Sequence, residues 1–350
     1  HSELAYSAVF LLSIIAGTSQ LVLAQTVDAG SRADILQRQA EERMMRDIKS
    51  AVPEASETFG RDTKEFIPEK VAAPSGVICQ DIDQIDIKSA PNLSPEVRTS
   101  VLAKHSGQCL GVKEISEILG AISEDYISRG FITTKAYLPQ QNLSFGKLDI
   151  LVLEGTIEAL VLEDENQQSI RLGNAFPVEV GGLLNLRDLE QGIDQANRLS
   201  SNNAKLDIVP GVEKGASRVV IINAPSNPFH VRLDTNNQGS ESTGEKQVGL
   251  TLIADHMLNV NDVLLFTHRQ STGNDNALQS SQSNSLSLYV PLGYTTASLS
   301  LGLSTYSLPV ALASGSEIEA NGDNTNISIG LQRLMYRDQK TRVSIVSDLT

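Results

Sequence analysis

Residues 126–155, YISRGFITTKAYLPQQNLSFGKLDILVLEG, place the end of a helix directly before two strand-like segments. Apolar side chains at helical spacing predict a helix over Val112–Arg129, and Gly130 is the residue type that commonly follows a helix end. Alternating apolar and polar residues then predict strands at Ile132–Leu138 and Lys147–Leu153, joined by a polar turn. This stretch therefore predicts a helix followed by a β-hairpin.

The segments on either side extend the hairpin into a unit that occurs twice. A strand at Val77–Ile87 and a helix at Pro95–His105 precede it, so the order is strand, helix, helix, strand, strand. The same order follows Gly155, without close sequence identity, as a strand at Thr156–Leu162, a short helix within Ile170–Val180, a helix at Leu186–Leu199 and strands at Ala204–Val209 and Ser217–Ile222. Each unit can bury one face of a three-stranded sheet under two helices, which predicts two α+β modules in series.

Residues after Pro225 lose the helical period and alternate at every second position. Four segments show this alternation: Val248–Leu252, Leu286–Val290, Leu299–Leu303 and Ile327–Leu331. One face is apolar and the other carries small polar residues with almost no charge, as in an antiparallel transmembrane β-barrel with lipid outside and water inside. An exported β-sandwich or solenoid is the alternative, and the scarcity of aromatic residues for interfacial girdles counts against a barrel.

The connections between these strands also indicate a barrel, because long and short links alternate. Long polar links are expected at 237–245, 271–283 and 306–324, and short turns near Asn259, Pro291–Gly293 and Tyr336–Lys340. These six links would join seven strands. A sheet of seven strands with open edges cannot cross a membrane, because its edge peptide groups would stay unpaired in lipid. We therefore expect a sequence truncated at its C-terminus, with further strands that close the barrel.

The N-terminal region predicts export. Residues 4–24 are mostly apolar and end in the small residues that signal peptidase prefers, so residues 1–24 are predicted to be a signal peptide, with an anchor helix as the alternative. The chain opens on His1, which we interpret as a clipped start. Ser31–Ser50 predicts a helix with one narrow apolar stripe and charges of both signs elsewhere, and residues 51–75 predict a linker.

Export would place the two cysteines, Cys79 and Cys109, in an oxidising compartment. We therefore predict a disulfide between them, which would stabilise the fold by roughly 3–4 kcal/mol in the chain-entropy account. Two free buried thiols are the alternative.

Composition and motifs exclude several function classes. A net charge of −14 argues against nucleic-acid binding, which favours a basic face. The sequence contains no GxSxG, HExxH, P-loop or paired CxxC motif, so no catalytic residue, metal site or cofactor is predicted and the protein is not expected to be an enzyme. The segment DIDQID, with Asp81, Asp83 and Asp86, lacks the glycine and glutamate of an EF-hand and is interpreted as a solvated strand edge.

Four stretches resemble the two-partner secretion transporters of the ShlB/FhaC/HecB family. Residues 109–158, 175–211 and 215–223 resemble its POTRA modules, and residues 232–266 resemble the start of its barrel. The resemblance implies a signal peptide (1–24), a plug helix (31–50), a linker (51–75), two βααββ POTRA modules (76–154 and 155–225) and the N-terminal part of an outer-membrane β-barrel (228–350). The family's lumen-entering loop motif would lie beyond Thr350.

The resemblance implies an outer-membrane transporter with its POTRA modules in the periplasm. Family members export one large, unfolded, β-rich haemolysin or adhesin, so the expected partners are a secreted exoprotein, here called the passenger, and outer-membrane lipid. No nucleotide motif is present, and export without ATP is expected. A barrel-assembly factor (insertase) of the same superfamily, or an outer-membrane porin or enzyme with periplasmic modules, is the alternative.

Two groups of residues are predicted to bind the passenger. An exposed sheet edge can add a strand through main-chain hydrogen bonds, and the expected edges are Ala204–Val209 and Ile132–Leu138, the latter with Ile132, Thr134 and Ala136. The resemblance also points to the NLRDLEQ stretch, whose expected contact residues are Asn185, Arg187, Asp188, Glu190 and Gln191. The structural alternative is a capped helix whose charged side is exposed opposite a core stripe.

Residues 31–50 are expected to occupy the pore, as a helix at this position does in the family. A helix with so narrow an apolar stripe gains little from packing on a protein core, and a wet lumen would suit it. A free periplasmic helix or a disordered segment is the alternative.

Overall fold

The computed structural model describes residues 79–164, 168–273, 276–338 and 340–350, which form two α+β modules followed by one large antiparallel sheet. The predicted signal peptide (1–24), plug helix (31–50) and linker (51–75) lie outside the described residues. None of the helices in the described part of the chain is long and apolar enough to cross a membrane.

The first module places a three-stranded sheet under two helices. Its elements are β1 (Gln80–Ile82), β2 (Gln84–Lys88), α1 (Pro95–His105), β3 (Gln108–Leu110), α2 (Val112–Ser128), β4 (Lys135–Tyr137), a 3-10 turn (Leu143–Phe145) and β5 (Lys147–Leu153). Strand β5 lies in the centre of the sheet, parallel to β2 and antiparallel to β4. Ile118 and Ile122 of α2 share one buried core with Leu148 and Ile150 of β5, so the helical period of apolar residues is explained by packing on the sheet.

The predicted single strand at Val77–Ile87 is wrong in its described part, because the chain turns at Asp83 and divides it into β1 and β2. The backbone N–H groups of Asp83 and Gln84 both donate to the carbonyl oxygen of Gly146, at 2.8 and 3.1 Å. Strand β1 therefore leaves the main sheet and pairs with β3.

The division of that strand brings the two cysteines together. Cys109 lies opposite Asp81 in the β1–β3 pair, and a disulfide joins it to Cys79 with the two Cα atoms 5.3 Å apart. The predicted disulfide is confirmed, and it closes a loop that contains β2 and α1.

The second module repeats the topology of the first. Its elements are β6 (Thr156–Glu163), α3 (Leu172–Ala175), α4 (Leu186–Ala196), β7 (Lys205–Pro210) and β8 (Ala216–Ile222). Strand β8 lies in the centre, parallel to β6 and antiparallel to β7. Both modules therefore have the βααββ arrangement that the repeated order of elements predicts.

Two glycines allow the modules to join without a spacer. Gly130 has a φ of +96°, and a Cβ there would lie 2.3 Å from Oδ1 of Asn185 at the start of α4. A Cβ at Gly155 would lie 1.9 Å from Oγ1 of Thr133. Ile132, two residues after Gly130, is buried in the core of the second module. The first module thus contributes a side chain to the core of the second.

The large sheet contains seven strands in sequence order, each antiparallel to the next. They are β9 (Phe229–Asn236), β10 (Gln247–Asp255), β11 (Val263–Ser271), β12 (Ser280–Leu292), β13 (Thr295–Ala311), β14 (Glu317–Arg337) and β15 (Arg342–Leu349). This is the strand arrangement of an up-and-down barrel wall.

The two faces of this sheet are inverted relative to a soluble protein. On one face Leu301 lies between Leu286 and Ile327, and all three are exposed. On the other face Ser300 lies beside Ser328, and both are buried. Exposed leucine and buried serine are the distribution that a barrel in lipid requires, so the predicted transmembrane barrel pattern is confirmed in these strands.

The predicted long link at 306–324 is wrong, because most of it belongs to β13 and β14. Leu308 pairs with Ala320 and Thr305 with Asp323, and the turn between the strands is 312–316. The link predicted at 271–283 is also shorter, since β12 begins at Ser280. A membrane-crossing strand needs only about 9–11 residues. Strand β14 has 21, so its polar half extends beyond the apolar band and has the composition of a loop.

Replacing Cys79 and Cys109 together with serine should destabilise the first module by roughly 3–4 kcal/mol, because the bridge removes chain entropy from the unfolded state. Pulse proteolysis of the full-length protein across a urea series measures the loss. Reduced wild-type protein is the control and should lose a similar amount. Alkylation of both thiols in denatured but unreduced protein would contradict the disulfide.

Candidate functional site

The strands expected to capture a passenger lie at sheet edges. Strand β4 pairs only with β5 in the first module, and β7 pairs only with β8 in the second. Each therefore has one side whose peptide groups have no strand partner in its own sheet. On β4, the exposed side chain of Tyr137 lies directly opposite exposed Leu151 of β5.

Of the three residues predicted on the first edge, only Ala136 lies in a strand. The strand expected at Ile132–Leu138 is confined to Lys135–Tyr137, so its first half is wrong. Ile132 is drawn into the core of the second module. Thr134 is buried, and its Oγ1 accepts a hydrogen bond from the N–H of Gly155 at 3.0 Å. Both side chains therefore support the module junction.

Helix α4 lies between its own module and the barrel. Asn185 caps it, with Oδ1 accepting from the N–H of Arg187 at 2.9 Å, and its amide donates to the carbonyl of Arg129. The expectation that the polar side of this helix is exposed is wrong. Every residue from Leu189 to Ala196 is buried, because the polar side meets the short turns of the large sheet.

Two buried carboxylates and three arginines form a charged network at the centre of this contact. Arg187 donates two hydrogen bonds to Glu190, at 2.7 and 2.8 Å. Nε of Arg337, at the end of β14, lies 3.2 Å from Glu190, and its Nη1 lies 2.5 Å from Asp194. Arg342, at the start of β15, donates to the same Asp194 oxygen at 2.7 Å. Glu190 and Asp194 are both buried and each is paired with two arginines, which offsets the cost of taking their charges out of water.

The turn between β12 and β13 is held by three polar side chains of α4. The amides of Gln191 and Gln195 donate to the carbonyl oxygen of Gly293, at 3.2 and 2.8 Å. The Tyr294 hydroxyl donates to the Asp188 carboxylate. Burial raises the pKa of Asp188 above its usual range, and the hydrogen bond from Tyr294 acts in the opposite direction.

The turn between β10 and β11 also contacts the second module. Asn261 accepts from the N–H of Arg171 and donates to its carbonyl, both at 2.8 Å, as a paired strand would. His256, Asn259 and Asn261 all have positive φ, a conformation that is uncommon outside glycine but is adopted more readily by Asn and His than by most residues. This tight turn thus places the Asn261 carboxamide against the backbone of Arg171 in the second module.

An apolar contact between the second module and the inner face of the sheet completes this junction. Leu199, just after α4, is fully buried and forms one cluster with Ile253, Val263 and Leu265 on the polar-lined face, with Tyr289 packed against it. Beside it, the N–H of Ser201 donates to the Asp255 carboxylate at 2.8 Å. All three short turns, together with this patch, therefore fix the second module to one end of the sheet.

The barrel half of this site is not predicted from the sequence. Asp194 and Gln195 lie on the helix already singled out, whereas Arg337 and Arg342 lie in the short turn region expected near Tyr336–Lys340. Two arginines that flank a short turn were the available signal for an acidic partner. In the described part of the chain no group of three or more His, Cys, Asp or Glu side chains is placed to hold a metal ion.

Asp188→Asn should stabilise the docked second module at pH 7.5, because it removes the cost of burying a carboxylate and keeps an acceptor for Tyr294. A raised folded-state pKa means that the wild type is favoured at low pH and loses that advantage as pH rises through the raised value. The gain of the variant should therefore shrink as pH falls toward 3.8, the ordinary value. Thermal unfolding of full-length protein at several pH values measures this, with Asp207→Asn as the exposed control.

Comparison with known proteins identifies all three structural units. Residues 80–155 match the ShlB-type POTRA domain, residues 156–210 match a POTRA domain, and residues 215–350 match the haemolysin secretion/activation protein family ShlB/FhaC/HecB.

Several named proteins are similar over most of the chain. Outer membrane transporter CdiB-2 of Burkholderia pseudomallei (strain 1026b) is 33% identical over 68% of the chain and 40% of its own length. Hemolysin transporter protein ShlB of Serratia marcescens is 29% identical over 81% of the chain and 50% of its own length. The solved structure of CdiB from Escherichia coli matches with a TM-score of 0.75 and 25% identity, over 93% of the chain and 59% of that structure.

The chain spans about half the length of the relatives that it matches. Consecutive matches cover both modules and the large sheet, in the order that the fold shows. The chain belongs to the ShlB/FhaC/HecB family of haemolysin secretion/activation proteins, the two-partner secretion transporters of the outer membrane.

Proposed function

We propose that the full-length protein exports one partner exoprotein of the haemolysin or adhesin type through its barrel. One observation supports this proposal: the second of the two modules is fixed by polar contacts to one end of a sheet with an apolar outer face and a Ser/Thr-lined inner face. A passenger released by the modules would therefore lie at the entrance of a polar lumen. The matched proteins of Serratia and Proteus are named as hemolysin transporters, which supports the same class of cargo.

Capture of the passenger is proposed to occur by strand addition at β4 and β7. An unfolded chain in extended form can pair its peptide groups with the unpartnered side of either strand. At β4 the pair formed by Tyr137 and Leu151 offers an exposed apolar surface for every second passenger side chain. Binding through peptide groups is tolerant of sequence, which suits a long cargo.

A passenger-binding role for Asn185, Arg187, Asp188, Glu190 and Gln191 stays a prediction. In the docked arrangement each of these side chains already has a hydrogen-bond partner in α4, in the first module or in the barrel turns. Passenger contact at this surface would therefore require the second module to leave the turns. The structure supports a docking role for the same residues in the state described.

Export is proposed to proceed without nucleotide hydrolysis. The passenger would enter unfolded, and its folding outside the cell would prevent its return, because a folded β-rich domain buries the apolar surface that the extended chain exposes. The described inner face is largely polar, as at Ser287, Ser300 and Ser328. Its apolar residues Ile253, Val263 and Leu265 pack against Leu199, which leaves them unavailable to an extended chain.

Co-expression tests the export function. The full-length protein and its candidate passenger, taken from an adjacent gene for a large repetitive exoprotein, are expected to yield passenger in the medium, and passenger alone should remain in the periplasm. A normal set of other outer-membrane barrels in cells lacking the transporter would separate export from barrel assembly. Depletion of those barrels, with passenger export unchanged, would favour the assembly factor.

Ala136→Pro should weaken passenger capture, because proline cannot donate to an added ladder. Ala136→Val is the matched control, since it keeps the backbone N–H and favours a strand. Binding of an N-terminal passenger fragment to full-length protein, measured by fluorescence anisotropy, should fall about tenfold for proline only, the equivalent of about one lost hydrogen bond. Equal binding by two folded variants would argue against strand addition.

A further inference from the structure

A cavity of about 410 Å³ lies where the second module meets the turn between β12 and β13. The module contributes Asn174, Phe176 and Pro177 to its wall, and the sheet contributes Leu292, Thr295 and Arg333. The volume is within the range of small-ligand sites, roughly 300–1,000 Å³. None of the acidic residues that give the chain its net charge of −14 lines this cavity.

Arg333 belongs to the apolar outer face of the sheet. Along β14, Ile327, Ile329 and Leu331 occupy every second position on that face and are exposed, and Arg333 is the next residue in this series. Across the sheet Arg333 lies opposite Thr295, which in turn lies opposite exposed Leu292. The guanidinium therefore stands at the border of the apolar band, on the side of the modules.

Three polar side chains of this cavity have no hydrogen-bond partner among the described residues, whereas the Tyr294 hydroxyl, which also lines it, donates to Asp188. No hydrogen bond or ion pair there satisfies the Arg333 guanidinium, the Asn174 carboxamide or the Thr295 hydroxyl, whereas Arg337, further along β14, contacts both Glu190 and Asp194. Three potential hydrogen-bond donors, one of them cationic, thus converge on a space open to the outer face.

We propose that this cavity binds the headgroup of an anionic glycerophospholipid from the periplasmic leaflet, with the phosphate on Arg333. An arginine at the edge of an apolar band lies at the depth of the lipid phosphates, and guanidinium–phosphate pairs are strong and bidentate. The lining offers no carboxylate to a cationic headgroup, which favours anionic over zwitterionic lipid. The acyl chains would lie along exposed Leu331 and Ile345.

Such a lipid would touch both parts of the protein at once. Asn174 belongs to α3 of the second module, and its backbone carbonyl already accepts from the N–H of Gly293 at 2.8 Å. A headgroup bound by Asn174 and Arg333 would add a contact across the same junction. The inference rests on insertion of the sheet in a membrane, as the proposed function requires, but not on the identity of the cargo.

Full-length protein in detergent tests the proposal by titration with short-chain phosphatidylglycerol, followed by native mass spectrometry. Arg333→Gln should lower the affinity for this lipid by roughly tenfold or more, the value of a charge-assisted pair. Lys340→Gln, which removes the same charge from a turn at the same end of the sheet, should change it less than about twofold. Equal losses in the two variants would overturn the site.

Two further probes define the ligand. Short-chain phosphatidylcholine should bind wild-type protein several-fold more weakly, since about one unit of favourable charge is lost. Equal binding of the two lipids, or competition by inorganic phosphate at the same concentration, would overturn an anionic lipid site. If Arg333→Gln fails to fold, Asn174→Ala should still weaken phosphatidylglycerol binding, and unchanged affinity would count against the proposal. Passenger export, measured separately in the same variants, distinguishes loss of this site from failure of the proposed function.

Discussion

Every peptide group of a strand in lipid must be hydrogen-bonded to another strand, since no water is present to replace a missing partner. This constraint explains the large sheet: its seven strands follow one another in sequence order, and each inner strand is paired on both sides. It also determines the side chains, because the pleat presents every second residue to lipid. Leucine and isoleucine are therefore exposed, whereas serine and threonine are buried.

The same architecture explains why a periplasmic helix can carry so many buried polar residues. Glu190 and Asp194 would be costly in an ordinary core, but the turns of the sheet supply Arg337 and Arg342 as partners. Asn261 and Gly293 satisfy backbone and amide groups in the same way. Because these carboxylates are buried by the sheet itself, docking is favourable only when each of them meets its arginines, which makes the contact specific for one orientation.

The sequence predicts those parts of the fold that depend on local periodicity. The repeated order of elements and the two-residue alternation identify the modules and the barrel wall, because buried helices and pleated strands impose those periods. The polar half of the β13–β14 hairpin is missed, since a strand surrounded by water has the composition of a loop. Ile132 and the partners of Asp194 are missed because their environment comes from distant segments, which no local pattern encodes.

The junction of the two modules has a mechanical consequence. Gly130 and Gly155 allow the modules to meet without a spacer, Leu186 donates its N–H to Gly130, and Ile132 is buried across the boundary. Bending there would open a shared core, so the pair should turn as one lever. A pulling force on a passenger bound to the first module would then act as a torque on the contacts that Asn261 and Arg337 make with the second module at the end of the barrel.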